Sequence, residues 1–440
     1  MKVSTGVNTM TDFSPQTLKT IEGHQLPGLK LAEGHIYPDY AGYSLANVPT
    51  TITRLLGIQD FGIGHLDESL LSQLGGPYQK VVLLLVDALG LKQLTQWMAA
   101  EPDLVWAKYH DRAFFTPLTS ICPSTTASAL TTLWTGVAPA THGIIGYEMW
   151  AREFGLVMNN ILHSAASARS DVGGLARSGF EPSAFLDRPL MGPHMRQQKV
   201  TPAAFMHYAI ARSGLSLMQL DEVDQKPYVD EADLCISLAE YLNGRPGIRD
   251  YIYAYYSDID TLMHRFSADD PRVSFQFSMF SSLFESAFLN NLSPAVARDT
   301  LLILTADHGS IATPINPRYD LNNHPDLKSL LVMQPTCENR LAFFFIKQGQ
   351  MGAVRDYITR TWPDEFLVIE PDTALASGLF GPEPFKEQAR ERLGDLIVAA
   401  KGDAYLWWAP TANHMAGRHG GLSRQEMLVP FYALPLGQLG

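Results

Sequence analysis

The chain has 440 residues, a formal net charge of −12 at pH 7, 46% hydrophobic residues and 18% charged residues. This composition is typical of a folded globular protein and excludes collagen-like or largely disordered chains. The acidic balance disfavours binding to long nucleic acid, whose affinity for proteins depends on Lys and Arg, but it leaves small anionic substrates open, since bound metal ions reverse the local charge.

The N-terminal segment and the cysteines indicate the cellular location. Residues 1–18 contain no apolar run of signal-peptide length, and the longest apolar run nearby is only Val81–Val86. Cys122, Cys235 and Cys337 are odd in number and lack metal-ligand spacing, so we expect small buried residues rather than disulfides. We predict a cytoplasmic protein without a membrane span.

Three strands are predicted, and acidic residues follow each of them. Continuous apolar runs at Val81–Val86, Tyr251–Tyr256 and Leu301–Leu304 are typical of strands buried on both faces of a parallel sheet. In an open α/β sheet the ligand site lies beyond the carboxyl ends of the strands, so we expect these acidic residues at one edge of the sheet. They are Asp87, Asp258, Asp260 and Asp307.

We predict a single α/β domain over residues 1–440, with a mostly parallel central sheet and helices on both faces. Helical patterns at Ala232–Leu242 and Val273–Asn290 provide the crossover connections that parallel strands need. Gly146–Thr201 and Ile311–Ala404 have weak periodicity, the first being rich in Gly, Ser, Ala and Arg and the second in Pro and Asn. We interpret both stretches as insertions that cover the site.

A helix is predicted to begin near two adjacent threonines. Residues 119–136 read TSICPSTTASALTTLWTG, and the helical pattern starts near Thr125 and Thr126. A hydroxyl at a helix N-terminus lies where backbone N–H groups favour an anion, which suits a nucleophile that attacks phosphate. N-capping is the commoner role of such a hydroxyl, so this segment alone leaves both roles open.

Residue types that bind metals occur in further clusters. Asp260 and His264 are four residues apart in DIDTLMH, which places both on one face of a helical turn. Asp307 and His308 are adjacent after the third strand in LTADHG, and the glycine that follows permits a tight turn. His419 lies between small residues in AGRHGGL, where the backbone can approach a site closely.

The order of these motifs resembles a known family. VVLLLVDALG, PSTTASALTTLWTGVAPATHGI, YYSDIDTLMH, LTADHG and GRHGGL occur in the order and approximate spacing of the alkaline phosphatase superfamily. The chain is most similar to the type I phosphodiesterase and nucleotide pyrophosphatase group, over about residues 81–429. The resemblance implies an alkaline phosphatase-like fold and a site with two divalent metal ions.

The resemblance also implies a role for individual residues. Thr126 matches the nucleophile, because it stands nine residues before the Thr of the Thr-Gly that ends the helix. Tyr255 matches a position where related nucleotide hydrolases place an aromatic ring against the base, and His142 matches a structural position. The ligands implied for the metal that activates the nucleophile are Asp87, Thr126, Asp307 and His308, and those for the second metal are Asp260, His264 and His419.

Two positions depart from the nucleotide pyrophosphatase pattern. Tyr147 stands where those enzymes carry an Asn that holds a phosphate oxygen, so Tyr147 is a candidate substrate-binding residue, with Asn159 or Asn160 as alternatives for the missing amide. Ala127 stands where those enzymes often have an aromatic residue. These departures leave the organic part of the substrate open.

We therefore predict a metal-dependent hydrolase of phosphodiester or pyrophosphate bonds that acts through a phosphothreonine-type intermediate. Three histidine ligands favour Zn²⁺, with Mn²⁺ or Fe as alternatives. The substrate is expected to be a small phosphoester, with nucleotides among the candidates.

Other activities stay open. No Lys or Arg lies between Phe114 and Met149, where a monoesterase would need cations, and we expect Arg418 to be solvated. A phosphomonoesterase, a phosphonate hydrolase or a phosphomutase on the same scaffold remains an alternative, as does a metal-binding protein without catalysis.

Overall fold

The computed structural model describes residues 13–168 and 171–439. The strands are β1 (Lys80–Val86), β2 (Phe114–Thr119), β3 (Glu148–Ala151), β4 (Leu156–Asn159), β5 (Ser164–Ala165), β6 (Thr201–His207), β7 (Asp224–Tyr228), β8 (Asp250–Tyr256), β9 (Thr300–Thr305), β10 (Ile311–Ala312), β11 (Thr336–Glu338), β12 (Leu341–Phe344), β13 (Phe366–Ile369), β14 (Leu396–Ala400), β15 (Gly417–Arg418) and β16 (Leu428–Pro435).

The helices include several of only one or two turns. They are α1 (Ser14–Gly23), α2 (Val48–Leu55), α3 (Glu68–Leu71), α4 (Leu91–Ala100), α5 (Val105–Lys108), α6 (Thr126–Thr135), α7 (Pro139–His142), α8 (Gly174–Arg177), α9 (Pro182–Leu186), α10 (Met191–Gln197), α11 (Gly214–Gln219), α12 (Glu231–Asn243), α13 (Asp258–Phe266), α14 (Pro271–Leu283), α15 (Pro294–Arg298), α16 (Pro325–Leu330), α17 (Met351–Thr361), α18 (Pro371–Ala376), α19 (Ala389–Arg392) and α20 (Arg424–Met427).

Seven strands form the central sheet, in the order β2-β16-β9-β1-β8-β6-β7. β1 pairs in parallel with β8 and β9, and β6 pairs in parallel with β7 and β8, whereas β16 runs antiparallel to β2 and β9. The three apolar runs predicted as strands lie in β1, β8 and β9, and every residue of these strands is buried. The predicted α/β fold with a mostly parallel sheet is confirmed.

A second sheet consists of strands from the two segments predicted as covers. Its order is β13-β14-β12-β11-β3-β4-β5, with antiparallel pairing throughout. β3, β4 and β5 belong to the stretch 146–201, and β11 to β14 belong to the stretch 311–404. The two stretches meet where Cys337 of β11 pairs with Glu148 of β3. The assignment of the whole chain to one domain stays a prediction.

Both predicted crossover helices are present. α12 begins after Asp230, whose carboxylate accepts a hydrogen bond from the backbone N–H of Asp233. α14 ends at Leu283, earlier than predicted, because the helical pattern continues as a π-helical turn over Phe284–Phe288. None of the helices in the described part of the chain has the length and apolarity needed to cross a membrane. The three cysteines are buried and unpaired, as expected.

A buried ion pair connects the second sheet to the loop after His419. Arg340, between β11 and β12, donates to both carboxylate oxygens of Glu426 in α20, at 3.0 and 2.8 Å. Glu426 also accepts hydrogen bonds from the backbone N–H groups of Gly421 and Ser423. Burial alone would raise the pKa of Glu426, but the charge and hydrogen bonds of Arg340 lower it below its ordinary value.

Replacing Glu426 by Gln should lower the free energy of unfolding by about 3–5 kcal/mol at neutral pH, because Arg340 would become a buried charge without a counter-charge. Because the pKa of Glu426 is lower in the folded than in the unfolded protein, its ionised carboxylate stabilises the fold at pH values above the unfolded-state pKa. This stabilisation is lost as the pH falls through the folded-state pKa. Urea unfolding of the wild type and of Glu426→Gln should therefore show a difference in the free energy of unfolding that is large at neutral pH and smaller at acidic pH.

The control for this change is Glu22→Gln, which removes the exposed carboxylate that pairs with Arg424. A surface pair of this kind contributes about 0–1 kcal/mol, so the control should unfold nearly like the wild type. Equal stability of Glu426→Gln and the wild type at neutral pH would show that the ion pair does not hold the loop.

Candidate active site

The predicted aspartates lie together at the carboxyl edge of the central sheet. Asp87 directly follows β1, and Asp307 follows β9 by two residues. Asp260 lies in the first turn of α13, which begins just after β8. Since β1 pairs in parallel with both β8 and β9, these three carboxylates leave the sheet on the same side.

The first cluster surrounds the ring of His308. Nε2 of His308 lies 3.5 Å from Oδ1 of Asp87, 3.4 Å from Oδ2 of Asp307 and 3.2 Å from Oγ1 of Thr126. The His308 side chain is fully buried. These are the four residues predicted to hold the metal next to the nucleophile.

The second cluster adjoins the first. Oδ1 of Asp260 lies 3.3 Å from Nε2 of His264 and 3.9 Å from Nε2 of His419. The rings of His308 and His419 stack with centroids 3.7 Å apart, and ligand atoms of Asp87, Asp260 and His308 all lie within 4.8 Å of one another. The structure thus brings all seven predicted ligands into two neighbouring groups.

The backbone fixes the orientation of the three imidazole rings. Nδ1 of His264 lies 2.9 Å from the carbonyl oxygen of Gly417, Nδ1 of His308 lies 3.0 Å from that of Gly309, and Nδ1 of His419 lies 3.1 Å from that of Ser124. A carbonyl oxygen only accepts, so each Nδ1 carries the proton and each Nε2 offers a lone pair to the cluster. Such an arrangement is typical of histidines that bind metals.

The carboxylates also fit divalent cations. Within the described part of the chain, Oδ1 of Asp87, Oδ1 of Asp260 and Oδ2 of Asp307 are buried without a hydrogen-bond partner. Burial raises the pKa of Asp87 well above its usual range, and the charges of Asp307 and Asp260 raise it further. Burial lowers the pKa of His419, which keeps its ring in the neutral form that binds metals. A cation would satisfy these oxygens and relieve their repulsion.

Thr126 is the first residue of α6, as the sequence predicts. The residue that precedes the helix, Thr125, makes no side-chain capping bond; its hydroxyl donates instead to Oε1 of Glu338 at 2.5 Å. The hydroxyl of Thr126 faces His308. N-capping therefore does not explain either side chain, and the position suits an attacking hydroxyl next to the N–H groups of the first helical turn.

A pocket of about 350 Å³ opens over these clusters, a size that suits a small ligand. Both segments predicted as covers contribute residues to its wall, near β3 and β11. The residues that line it are Thr125, Thr126, Tyr147, Glu148, Ile161, Asp260, His264, Cys337, Glu338, Asn339, Trp407, Trp408, Ala409, Met415 and His419.

The candidate substrate-binding residues have different positions. Tyr147 lines the pocket, so its predicted role stays open. Neither alternative amide does. The Asn160 side chain donates to the carbonyl of Gly146, and the Asn159 side-chain oxygen accepts hydrogen bonds from two backbone N–H groups of the turn that follows it. Both asparagines thus stabilise the backbone around β4, and their role as a substitute for the missing phosphate ligand stays a prediction.

Tyr255 lies beneath the clusters instead of on the pocket wall. Its side chain is buried, its ring is stacked on Tyr253, and its hydroxyl donates to Oδ2 of Asp87. This hydrogen bond leaves Oδ1 of Asp87 directed at His308. The geometry favours a role for Tyr255 in orienting Asp87 over the predicted contact with a nucleotide base.

Replacing Tyr255 by Phe should weaken metal binding or lower activity by about 10–100-fold, because Asp87 would lose the group that orients it. Metal titration of the chelated protein, followed by isothermal calorimetry, measures this change. Tyr253→Phe is the matched control, since it removes a buried hydroxyl on the same strand that has no hydrogen-bond partner among residues 13–168 and 171–439. Similar metal affinity in both variants would contradict the orienting role.

Arg418 is not solvated, so that expectation is wrong. The residue is 1% exposed, because β15 pairs with β10 and places Arg418 opposite Ile311. Its guanidinium donates to Thr313 and Asn413 and lies 3.7 Å from the centre of the Tyr405 ring. Its guanidinium also lies 5.9 Å from the centre of the ring of Trp407, a residue of the pocket wall, but no Lys or Arg of the described residues lines that wall itself.

Residues 81–422 match the sequence model of the type I phosphodiesterase / nucleotide pyrophosphatase family. The chain belongs to this family. It is accordingly a hydrolase of the phosphodiesterase and nucleotide pyrophosphatase type, in a family that is generally metal-dependent. A search of curated protein sequences finds no match.

Solved structures show the same fold. Murine ectonucleotide pyrophosphatase/phosphodiesterase 5 has a TM-score of 0.56 and 17% identity, over 81% of this chain and 88% of that chain. The human protein of the same name has a TM-score of 0.58 and 16% identity, over 81% of this chain and 87% of that chain. Phosphonoacetate hydrolase from Sinorhizobium meliloti, in complex with phosphonoformate, has a TM-score of 0.54 and 16% identity, over 80% of this chain and 89% of that chain.

Sequence patterns did not reveal the outer wall of the pocket. Glu148 and Glu338 lie in short strands of the second sheet, and Trp407 and Trp408 lie in a loop after it. These residues carry no motif and no periodicity. The pairing of β3 with β11 brings Glu148 and Glu338 together, whereas Trp407 is positioned by an isolated bridge to Asp320. Burial, and then the nearby Glu148, raise the pKa of Glu338 to about 8, against the effect of the hydrogen bond from Thr125.

Proposed function

We propose that the protein hydrolyses small phosphodiesters or pyrophosphates through a phosphothreonine-type intermediate on Thr126, with two divalent metal ions. One observation carries the proposal. The Thr126 hydroxyl lies at the start of α6, 3.2 Å from His308, in the first of two adjoining clusters whose carboxylates, Asp87, Asp260 and Asp307, each have a buried oxygen without a hydrogen-bond partner in the described structure. Three histidines among the donors favour Zn²⁺, with Mn²⁺ or Fe as alternatives.

Different residues of the chain would hold the two ions. Asp87, Asp307 and His308 would hold the ion next to Thr126, while the cluster around Asp260 would hold the other. When bound, the two ions would lower the pKa of the Thr126 hydroxyl and offset the charge that develops on the attacking and leaving oxygens. The N–H groups at the start of α6 point to where phosphate oxygens would lie.

The covalent steps are as follows. Thr126 gives up its hydroxyl proton and Oγ1 attacks phosphorus, the bond from phosphorus to the departing oxygen breaks, and that oxygen takes up a proton from solvent and leaves as an alcohol or phosphate. Water then gives up a proton and attacks the phosphothreonine on the opposite face, the bond from phosphorus to Oγ1 breaks, Oγ1 is protonated again, and the phosphorylated product leaves. Two inversions retain the configuration at phosphorus.

The charge of the pocket favours diesters over monoesters. A doubly charged phosphoryl group needs additional cations, yet no Lys or Arg lines the described pocket. The same argument disfavours a carboxylated phosphonate, although a phosphonoacetate hydrolase shares the fold. Phosphonate hydrolysis therefore stays the second candidate.

The test compares bis-p-nitrophenyl phosphate, thymidine 5′-p-nitrophenyl phosphate and p-nitrophenyl phosphate. Chelated protein should be inactive, and added Zn²⁺ or Mn²⁺ should restore hydrolysis with kcat/KM for a diester at least about tenfold above that for the monoester. A higher kcat/KM for the monoester would contradict the diesterase proposal. No hydrolysis of any ester by metal-loaded protein would favour a role without catalysis.

A further inference from the structure

Thr125 has the backbone of a helix-capping residue but not the side-chain bond of one. It precedes α6 in an extended conformation, with φ −142° and ψ 145°, and its carbonyl oxygen accepts a helical hydrogen bond from the N–H of Ala129 at 2.9 Å. The side chain of a threonine in this place normally accepts a hydrogen bond from an N–H group of the first helical turn. The Thr125 side chain makes no such bond, so α6 begins without a side-chain cap.

Other helices of the chain have the cap that α6 lacks. Ser213, before α11, accepts a hydrogen bond from the backbone N–H of Ser216, and Asp230, before α12, accepts one from that of Asp233. The side chain of the capping residue thus occupies an N–H group at the start of each of these helices. At α6 the corresponding groups lie next to the hydroxyl of Thr126 and stay open to an anion.

Glu338 binds the Thr125 side chain on the other side. The Thr125 hydroxyl donates to Oε1 of Glu338 at 2.5 Å. Glu338 lies in β11 of the second sheet, and its carboxylate also accepts a hydrogen bond from the backbone N–H of Tyr147. A Cβ atom at Gly420 would collide with Cβ and Cγ of Glu338, so the glycine after His419 makes room for this side chain. These contacts fix the carboxylate that draws Thr125 away from the helix.

A cap on α6 would compete with the substrate. In the proposed reaction, phosphate oxygens lie against the N–H groups of the first turn of α6. Without Glu338, rotation about the Cα–Cβ bond of Thr125 would let Oγ1 accept a hydrogen bond from one of these groups. The phosphoryl group would have to break this bond in order to bind. A threonine cap is strong enough to lower the availability of the helix start by about fivefold.

We propose that Glu338 keeps the N-terminus of α6 open to the phosphoryl group by holding the Thr125 hydroxyl away from the N–H groups that it would otherwise cap. Glu338 is thus a positioning residue that acts through Thr125. In this way the second sheet takes part in the reaction, although its strands carry none of the predicted metal ligands. The inference rests on the proposed function, in which Thr126 attacks phosphorus at this helix start.

The first experiment measures kcat/KM for bis-p-nitrophenyl phosphate at saturating metal. Glu338→Ala should lower kcat/KM by at least about fivefold, because Thr125 is then free to cap α6. Adding Thr125→Ala to this variant should raise kcat/KM again by about fivefold, because the competing hydroxyl is gone. Glu338→Gln should lose less than Glu338→Ala, since its amide group can still form a hydrogen bond with the Thr125 hydroxyl.

Recovery of activity in the double variant separates this role from a merely structural one. If Glu338 only stabilised the local fold, removing the Thr125 hydroxyl as well would not restore kcat/KM. A double variant that is no faster than Glu338→Ala would therefore overturn the inference. Equal losses in Glu338→Gln and Glu338→Ala would also overturn it, because the charge of Glu338 would then matter instead of its hydrogen bond.

Hydrogen exchange provides a readout that does not depend on turnover. In metal-loaded Glu338→Ala, a new cap should slow exchange of the backbone N–H of Ala127 or Ser128 by about fivefold, and the double variant should lose this protection. Unchanged or faster exchange in Glu338→Ala would refute the inference. A wild type that hydrolyses no ester would contradict the proposed function, and exchange at these two groups would then decide whether Glu338 prevents the cap.

Discussion

Replacing Thr126 by Ala is expected to lower kcat toward p-nitrophenyl diesters by about 10³-fold or more, because the covalent intermediate can no longer form. The Thr126 hydroxyl contacts the ring at the centre of the first cluster, with Oγ1 3.2 Å from His308 Nε2. Steady-state hydrolysis with saturating metal measures the loss. Rapid quench followed by mass spectrometry should detect a peptide phosphorylated at position 126 in the wild type and none in Thr126→Ala.

Two variants control for indirect effects. Thr126→Ser keeps a hydroxyl in the same place and should retain measurable turnover and the phosphorylated peptide. Thr125→Ala changes the neighbouring residue, whose hydroxyl donates to Glu338, and should lower kcat by less than about tenfold. Full activity of Thr126→Ala would rule out the nucleophile, and equal losses in both alanine variants would indicate a structural role for the pair.

The central sheet could be predicted because its strands are buried on both faces. β1, β8 and β9 therefore appear in the sequence as mainly apolar runs without alternation. The second sheet could not be predicted in the same way. β5 has two residues and β11 has three, too few for a periodic pattern, and the partners Glu148 and Cys337 are far apart in the sequence.

The same contrast applies to the site. Most of the predicted ligands stand at strand ends or helix starts, and His264 lies one turn after Asp260 on α13, so motif order and helical spacing were enough to group them. The role of Tyr255 depends on register instead. Leu85 of β1 lies opposite Tyr255, so the tyrosine hydroxyl can reach Asp87 just past the end of β1. Nothing in the sequence sets that register, and the same holds for the pairing that buries Arg418.

Replacing Asp260 by Ala should remove one of the two bound metal ions and lower activity by more than about 100-fold. Asp260 is the carboxylate of the second cluster, with Oδ1 3.3 Å from His264 Nε2 and 3.9 Å from His419 Nε2. Its loss would leave two neutral imidazoles, which bind a divalent ion more weakly than the same pair with a carboxylate. Elemental analysis after dialysis against metal-free buffer measures the metal content per chain.

Asp258→Ala provides the matched control for this prediction. Asp258 lies two residues earlier on α13, outside both metal clusters, and its charged neighbours are Glu231 and His207. This variant should keep both ions. Unchanged metal content in Asp260→Ala would refute the second ligand set. Loss of both ions would show that Asp260, whose ligand atom also lies within 4.8 Å of those of Asp87 and His308, is needed by the first cluster as well. Loss of one ion, with Thr126 still reactive in a single turnover, would separate activation of the nucleophile from the later steps.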